Sequence, residues 1–350
     1  MKSITLFLFV SASILFFITS CKKESNTISL PSLQTDSVPY ENNNLKIDFA
    51  ADLPSKNVVT DMHFFDALDG IVITNAGEIY QTKNAGINWT LQYASPDSIY
   101  LYQLLFTNNN TGYVVGGTTS CIGNGCTPAG GQILKTNDGG NTWKVVLDKP
   151  DKEFVSISTN DNDELFAAAN GIKNEIFRSA DNGENWTSVT TSPFNFYKII
   201  FNDGTGFCTT LSSQWLISKD DGVSWNVDSS SASKYSNDIE FKDGVGYCFS
   251  HLEVYKTTDN GDNWIDQGIS GSSGFRIVKP LSANSCIVFG SGRFTGGDFG
   301  IFYGAIWQTV DGNDWNGVQF NNASIYAAGF YTSSNGYATS RDKLLTITVK

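Results

Sequence analysis

The sequence predicts an all-β protein, a seven-bladed β-propeller of four-stranded antiparallel blades, and three observations predict it. An eight-residue box that ends in tryptophan recurs six times at roughly the length of one blade. An apolar strand, a polar turn and a Gly-aromatic pair recur upstream of the boxes. The C-terminal stretch supplies three strands of one more blade, and an early segment can supply the fourth. Short β-branched and aromatic runs between Gly/Asn/Asp clusters replace any long run of helix formers.

The first 20 residues read as a signal rather than as part of the fold. Met1 and Lys2 give a positive start, and Ile4 to Phe17 give an apolar stretch. Ile18, Thr19, Ser20 and Cys21 follow, which resembles the lipobox of bacterial lipoproteins. That resemblance implies cleavage before Cys21, acylation of its thiol, and a propeller anchored by lipid to the membrane. Several acyl chains, at about 0.8 kcal/mol per buried methylene, hold a chain far more firmly than one. Residues 21–44 lack periodicity and carry Pro31, Pro39 and several Ser and Asn, which predicts a flexible tether. The propeller is expected over 45–350. Lys22 and Lys23 directly after Cys21, with few arginines in the chain, suit the outer membrane or cell surface.

The boxes are Thr82–Trp89, Thr136–Trp143, Ser179–Trp186, Ser218–Trp225, Thr257–Trp264 and a shortened Thr309–Trp315. Their tryptophans are 54, 43, 39, 39 and 51 residues apart. The chemistry suits the tip of a hairpin. Asp138, Asp181, Asp220, Asp259 and Asp311 can accept backbone N–H bonds, and glycine supplies the positive φ. Trp143, Trp186, Trp225, Trp264 and Trp315 then cover the hairpin base. Asn84 replaces the Asp in the first box. Five carboxylates dispersed over separate blades are structural rather than catalytic, since one active site does not need five copies.

This S/T-x-D-x-G-x-T-W pattern resembles the BNR repeat, or Asp-box. Its style and the count of seven resemble the photosystem II stability/assembly factor family and its non-photosynthetic relatives, across nearly all of 45–350. The resemblance implies Asp-box hairpins in a ring closed by N- and C-terminal strands, and a scaffold that binds assembly partners. Only Arg178, Arg276, Arg293 and Arg341 are present, so no basic patch accompanies it.

After the last box, Ile325 to Phe330, Gly336 to Ala338 and Leu344 to Val349 read as three strands, and Leu45 to Ala50 as the fourth. Such closure removes exposed sheet edges.

Chemistry is sparsely supported. A sialidase needs three convergent arginines and its Arg-Ile-Pro signature, but Phe275-Arg276-Ile277-Val278 lacks the proline. A glycoside hydrolase needs two carboxyl groups about 5–9.5 Å apart. Glu153, Asp163, Glu164, Asp238 and Glu240 are candidates by position, without diagnostic neighbours. His63 and His251 are the only histidines, and no HxH, HExxH or CxxC occurs, so no metal, cofactor or Ser-His-Asp triad is implied. Cys208, Cys248 and Cys286 fall in corresponding strands of adjacent blades and read as buried thiols. Cys121 and Cys126 flank four residues in a long loop, and an exported chain permits a disulfide there.

The formal charge is −12, and loss of residues 1–20 removes one lysine and no acid, giving −13. That acidity excludes nucleic acid, whose binders draw their affinity from basic patches. The expectation is a monomeric, non-catalytic binding or scaffolding lipoprotein of the cell envelope or surface, whose partner is an envelope or surface protein or a glycan. The alternative is a surface glycan-binding protein or a glycoside hydrolase of propeller fold. Long insertions at Gly116–Gln132 and Gly290–Ala305 fall between second and third strands and are expected to wall a site on one rim. The second carries Arg293, Phe294, Phe299, Phe302 and Tyr303, residue types enriched at binding hot spots.

Overall fold

A computed structural model describes residues 35–36, 38–97, 99–122, 125–212, 214–228, 238–250, 253–270, 274–294, 301–320 and 324–350. The described residues begin with three strands: β1 (Thr35–Asp36), β2 (Tyr40–Glu41) and β3 (Leu45–Asp52). The first blade is β4 (Val59–Phe64), β5 (Gly70–Thr74), β6 (Glu78–Thr82) and β7 (Thr90–Ala94). The second is β8 (Tyr100–Phe106), β9 (Gly112–Ile122), β10 (Gly125–Thr136) and β11 (Lys144–Lys149). The third is β12 (Lys152–Thr159), β13 (Leu165–Gly171), β14 (Asn174–Ser179) and β15 (Thr187–Ser192). The fourth is β16 (Phe196–Asn202), β17 (Thr205–Thr210), β18 (Trp215–Ser218) and β19 (Asn226–Asp228). The fifth is β20 (Asp238–Lys242), β21 (Val245–Phe249), β22 (Glu253–Thr257) and β23 (Ile265–Ser270). The sixth is β24 (Phe275–Ser282), β25 (Ser285–Phe294), β26 (Ile301–Thr309) and β27 (Trp315–Phe320). In the seventh, β28 (Ile325–Phe330), β29 (Asn335–Ser340) and β30 (Lys343–Val349) are completed by β3.

Within each blade the four strands run antiparallel from the axis outwards, in chain order except where β3 closes the seventh, so the protein is a seven-bladed β-propeller. Consecutive inner strands adjoin, and β28 adjoins β4, which closes the ring. First-to-second and third-to-fourth connections therefore share one face, the box face. Second-to-third connections and entries into inner strands share the other, the entry face.

Two sequence expectations change. Ordered structure begins upstream of Leu45: β1 pairs in parallel with β27 of the sixth blade, and β2 adds a fifth strand to the seventh. Val38 between them is buried, and Tyr40 stands edge-on to Phe320 at 5.4 Å. This segment straps the seam that has no box on its seventh-blade side. The described parts of the long insertions are strands rather than irregular loops. They prolong the second and third strands into ribbons, pairing Ile122 with Gly125 and Phe294 with Ile301. Pairing the ladder's N–H and C=O groups satisfies backbone that a loop would leave to water.

The apolar interior forms seven clusters, one at each seam between blades. The boxes help build these seams. In the third-blade box, Asp181 accepts from Asn185 N–H (2.8 Å), Asn185 Nδ2 (2.7 Å) and Ser179 Oγ (2.8 Å), while Ser179 Oγ accepts Gly183 N–H (2.9 Å). Asp138, Asp220 and Asp259 repeat this arrangement, and Asn84 Oδ1 stands in for a carboxylate oxygen in the first box. Asp311 accepts from Asn313 and Asp314 N–H in the shortened one. The indole N–H of Trp143, Trp186 and Trp225 donates to the carbonyl of the box glycine. Trp264 packs edge-on to Trp215 at 5.6 Å, and Trp315 lies 6.0 Å from Tyr247 of the preceding blade.

Each box glycine leans on the preceding blade. A methyl added at Gly140 would stand 2.2 Å from Ile71 Cδ1, and one at Gly183 would stand 2.8 Å from Tyr113 Cε1. Both have positive φ, so glycine answers a backbone and a packing demand at once. Tyr113 Oη also donates to Asn182 O at 2.8 Å, and Lys135 Nζ donates to the same carbonyl at 2.7 Å.

Candidate functional site

The inner strands surround an axial channel, and a backbone irregularity decides what lines it. Among the described residues, six of these strands carry a β-bulge near their start, at Thr60, Tyr102, Val155, Tyr197, Arg276 and Tyr326. A bulge re-aims the side chain it carries. The residues that follow, with Asp238 in the fifth blade, form a belt: Asp61, Gln103, Ser156, Lys198, Asp238, Ile277 and Ala327.

The belt stitches neighbouring blades. Leu104 N–H donates to Asp61 (2.9 Å), Ile157 N–H to Gln103 (3.0 Å), Ile199 N–H to Ser156 (3.0 Å) and Val278 N–H to Asp238 (3.2 Å). In each case the donor follows the belt position of the next blade. Where the preceding belt residue cannot accept, the pattern adapts. Lys198 offers no lone pair, so Ile239 N–H turns to its own neighbour Asp238 at 3.0 Å. The side chain of Ala327 has no polar atom, and Met62 N–H turns to Asp61 at 2.9 Å.

Below the belt, Glu240 and Lys279 join this network. Lys198 Nζ donates to Asp238 at 2.5 Å and to Glu240 at 2.7 Å, and Lys279 Nζ reaches Glu240 at 3.2 Å. Burial disfavours the charges, but Lys198 and Lys279 hold Glu240 below the usual carboxylate range, and Asp238 and Glu240 push Lys198 up. Asp61 is the exception: burial outweighs its N–H donors and the lysines and pushes its pKa up.

The channel opens into a cavity at each end. The box-face cavity, about 700 Å³, includes His63, Phe64 and Phe330. Burial lowers the pKa of His63 to about 4, and its ring stacks on Phe106 at 4.9 Å, so it is neutral at neutral pH. The entry-face cavity, about 430 Å³, is lined by Tyr102, Glu153, Phe196, Tyr197, Leu211 and Tyr326 over the belt. Tyr197 is 40% exposed and Leu211 59%. Tyr100 packs on Tyr102 with centroids 4.5 Å apart, extending the aromatic rim. Tyr102 Oη donates to Glu153, and burial together with that carboxylate raises its pKa, so the proton stays.

The acids singled out by sequence fall into three places. Asp238 and Glu240 lie in the channel network, and Glu153 lies on the entry rim. Asp163 occupies a turn at φ 60°, and Glu164 pairs with Arg178 on the third blade. Of the arginines, Arg178 lies in β14, Arg276 in β24 and Arg341 in the turn after β29, on three different blades. They do not converge on one carboxylate. Cys208, Cys248 and Cys286 are buried thiols outside any disulfide. The ladder sets Cys126 opposite Cys121, while their side chains lie outside the described residues. Arg293, Phe294, Phe302 and Tyr303 fall on the sixth-blade ribbon with side chains outside the described residues, as are Cys21, His251 and Phe299 altogether. Among the described residues, no group of three or more His, Cys, Asp or Glu could hold a metal ion. Sequence reasoning missed Asp61, Gln103 and Ser156. Their signal is a polar residue just before the apolar run of an inner strand, visible only once the blades are aligned.

No protein-family model matches the chain, and no curated protein matches it by sequence. Solved structures do. YCF48 bound to a D1 peptide is similar with a TM-score of 0.64 at 18% identity, over 92% of this chain and 99% of that one. YCF48 from Cyanidioschyzon merolae gives 0.63 at 16% identity, over 87% and 99%. The GH74 xyloglucanase from Xanthomonas campestris gives 0.65 at 14% identity, over 86% of this chain and 53% of that one, so this chain spans about half its length. At these identities the likeness is one of fold, a ring shared by a peptide-binding protein and a glycan-cleaving enzyme.

Proposed function

We propose that this chain is a non-catalytic binding and scaffolding propeller of the cell envelope, exported under its signal, acylated at Cys21, and holding a protein partner at the entry-face mouth. One observation carries the reading. The carboxylates that line the mouth and belt are engaged: Asp61 and Asp238 by backbone N–H groups, Glu240 by two lysines, and Glu153 by Tyr102. A glycosidase needs one acid held protonated beside one free to attack or activate water. Asp61, whose pKa is raised, has one oxygen on Met62 N–H and the other on Leu104 N–H, so neither is directed at a substrate. The mouth instead presents tyrosines and Leu211, side chains suited to recognition.

The YCF48 structure with a D1 peptide supports a protein ligand for a ring of this shape. The repeated turns support membership among Asp-box propellers, through the Asp, Gly and Trp roles described above. The ribbons of the second and sixth blades rise on the same face and would flank the occupant. A glycan ligand is the second reading, favoured by the exposed tyrosines, since such rings also stack on sugars.

The test is capture of partners from native membranes with the mature chain, its Tyr197→Ser variant and an Ile87→Ser variant on the box face. Loss of the same partner with Tyr197→Ser alone supports the reading. Equal capture by all three places the partner elsewhere, and turnover of a glycan by the purified chain overturns the non-catalytic assignment.

A further inference from the structure

We infer that the entry-face mouth receives a cationic side chain, a lysine or arginine carried on an extended segment of the protein partner. The inference rests on the binding reading above and adds the chemistry of the ligand. Of the four carboxyl groups that line the cavity, Asp61 has both oxygens on backbone N–H groups and a pKa raised by burial, Asp238 and Glu240 face Lys198 and Lys279, and Glu153 is the fourth. Both lysines are consumed internally by Asp238 and Glu240 below the mouth.

Glu153 is differently placed. Its hydrogen-bond partners are the hydroxyls of Tyr102 and Thr119, and among the described residues no lysine or arginine pairs with it. It is also held in position, because the second-blade strand passes so close that a methyl at Gly117 would stand 2.7 Å from Glu153 Cα. A fixed, half-buried carboxylate with neutral partners leaves negative potential at the rim. Arg276, the cation carried on a bulge, lies outside this lining, although its charge acts on Tyr197 and offsets part of that potential.

Around that carboxylate the bulges aim Tyr102, Tyr197 and Tyr326 into the same cavity. Ring faces beside a carboxylate attract an organic cation by quadrupole and charge together, most strongly where water is partly excluded. About 430 Å³ has room for side chains and an extended backbone but not for a folded element. An acidic segment would meet Glu153 and a chain of net charge −12, and a neutral glycan would gain stacking but nothing from the charge.

The experiment titrates the mature chain with four probes: acetyl-Gly-Gly-Lys-Gly-Gly-amide, its Nε-acetyl-lysine form, the glutamate counterpart, and xylohexaose. The lysine peptide should bind about tenfold more tightly than the acetylated one, with affinity falling as salt rises. Glu153→Gln and Tyr197→Ser should each weaken it severalfold at unchanged melting temperature. Tyr197→Ser lies on an exposed side chain and keeps the test open if Glu153→Gln perturbs folding. Equal affinity for the acetylated peptide overturns the inference. So does binding of xylohexaose or the glutamate peptide in preference, but if Tyr197→Ser abolishes that binding, the mouth stands as the site and only the ligand class fails. Partner capture indifferent to Tyr197→Ser overturns both readings.

Discussion

Replacing Asp61 by alanine separates a structural belt from a catalytic one. The carboxylate accepts Met62 N–H and Leu104 N–H, both at 2.9 Å, and both donors belong to buried residues. Alanine leaves two buried N–H groups without acceptors, at about 1–3 kcal/mol each, so the loss should be about 2–6 kcal/mol. For a chain of this size each kcal/mol lowers the melting temperature by about 2 °C, so the variant should melt about 4–12 °C below the parent. Asp61→Asn retains one carbonyl oxygen and should lose about half as much. Thermal unfolding followed by tryptophan fluorescence reads both, with partner capture measured well below either transition. Capture should survive in each variant. A melting temperature within a degree of the parent for Asp61→Ala, or loss of function without loss of stability, would refute the reasoning.

The seam role of the boxes predicts a graded response to glycine substitution. Gly183→Ala meets both a positive φ and Tyr113, and should cost about 2–4 kcal/mol. Gly204→Ala has a positive φ but open space around it, and should cost about 1–2 kcal/mol in the same unfolding assay. Hydrogen bonds from Asn185 and Asn263 hold Asp181 and Asp259 at about 2, below the ordinary 3.8. A depressed folded-state pKa gives stability that is present above the unfolded value and lost as pH falls through the folded one. Unfolding measured from pH 5 to 2 should therefore steepen below about 4, and less so in the Asp181→Asn, Asp259→Asn double variant. Palmitate labelling should vanish in Cys21→Ala, and undiminished label would exclude the anchor. Mass spectrometry of unreduced peptides should find Cys121 joined to Cys126, and free thiols at both would remove the bridge.

Much of the ring was legible because its determinants are local and repeated. Each box carries its own Asp, Gly and Trp, and each inner strand precedes a Gly-aromatic pair, so blade count and closure through Leu45 to Ala50 followed from spacing. What escaped was set by tertiary neighbours. β1 and β2 are two residues long, too short for any periodicity, and exist because β27 and β3 offer edges beside them. Gly116–Gln132 is rich in glycine and reads as a loop, yet its two halves pair as strands. Asp61, Gln103 and Ser156 differ in chemistry at equivalent positions, so no motif marks them. Their shared task is to accept an N–H from the next blade, which only the closed ring reveals. Trp143 and Gly140 were legible as hairpin residues, whereas their contact with Phe106 and Ile71 across strands and blades was not.

The entry-face mouth as the binding site is tested most directly by hydrogen exchange and hydroxyl-radical footprinting of the mature chain with its captured partner bound. Protection is expected at Tyr100, Tyr102, Tyr197 and Leu211, with Leu68, Ile87 and Val223 on the box face unchanged. Protection confined to Leu68, Ile87 and Val223, with the four entry-face side chains oxidised as in the free chain, would contradict it.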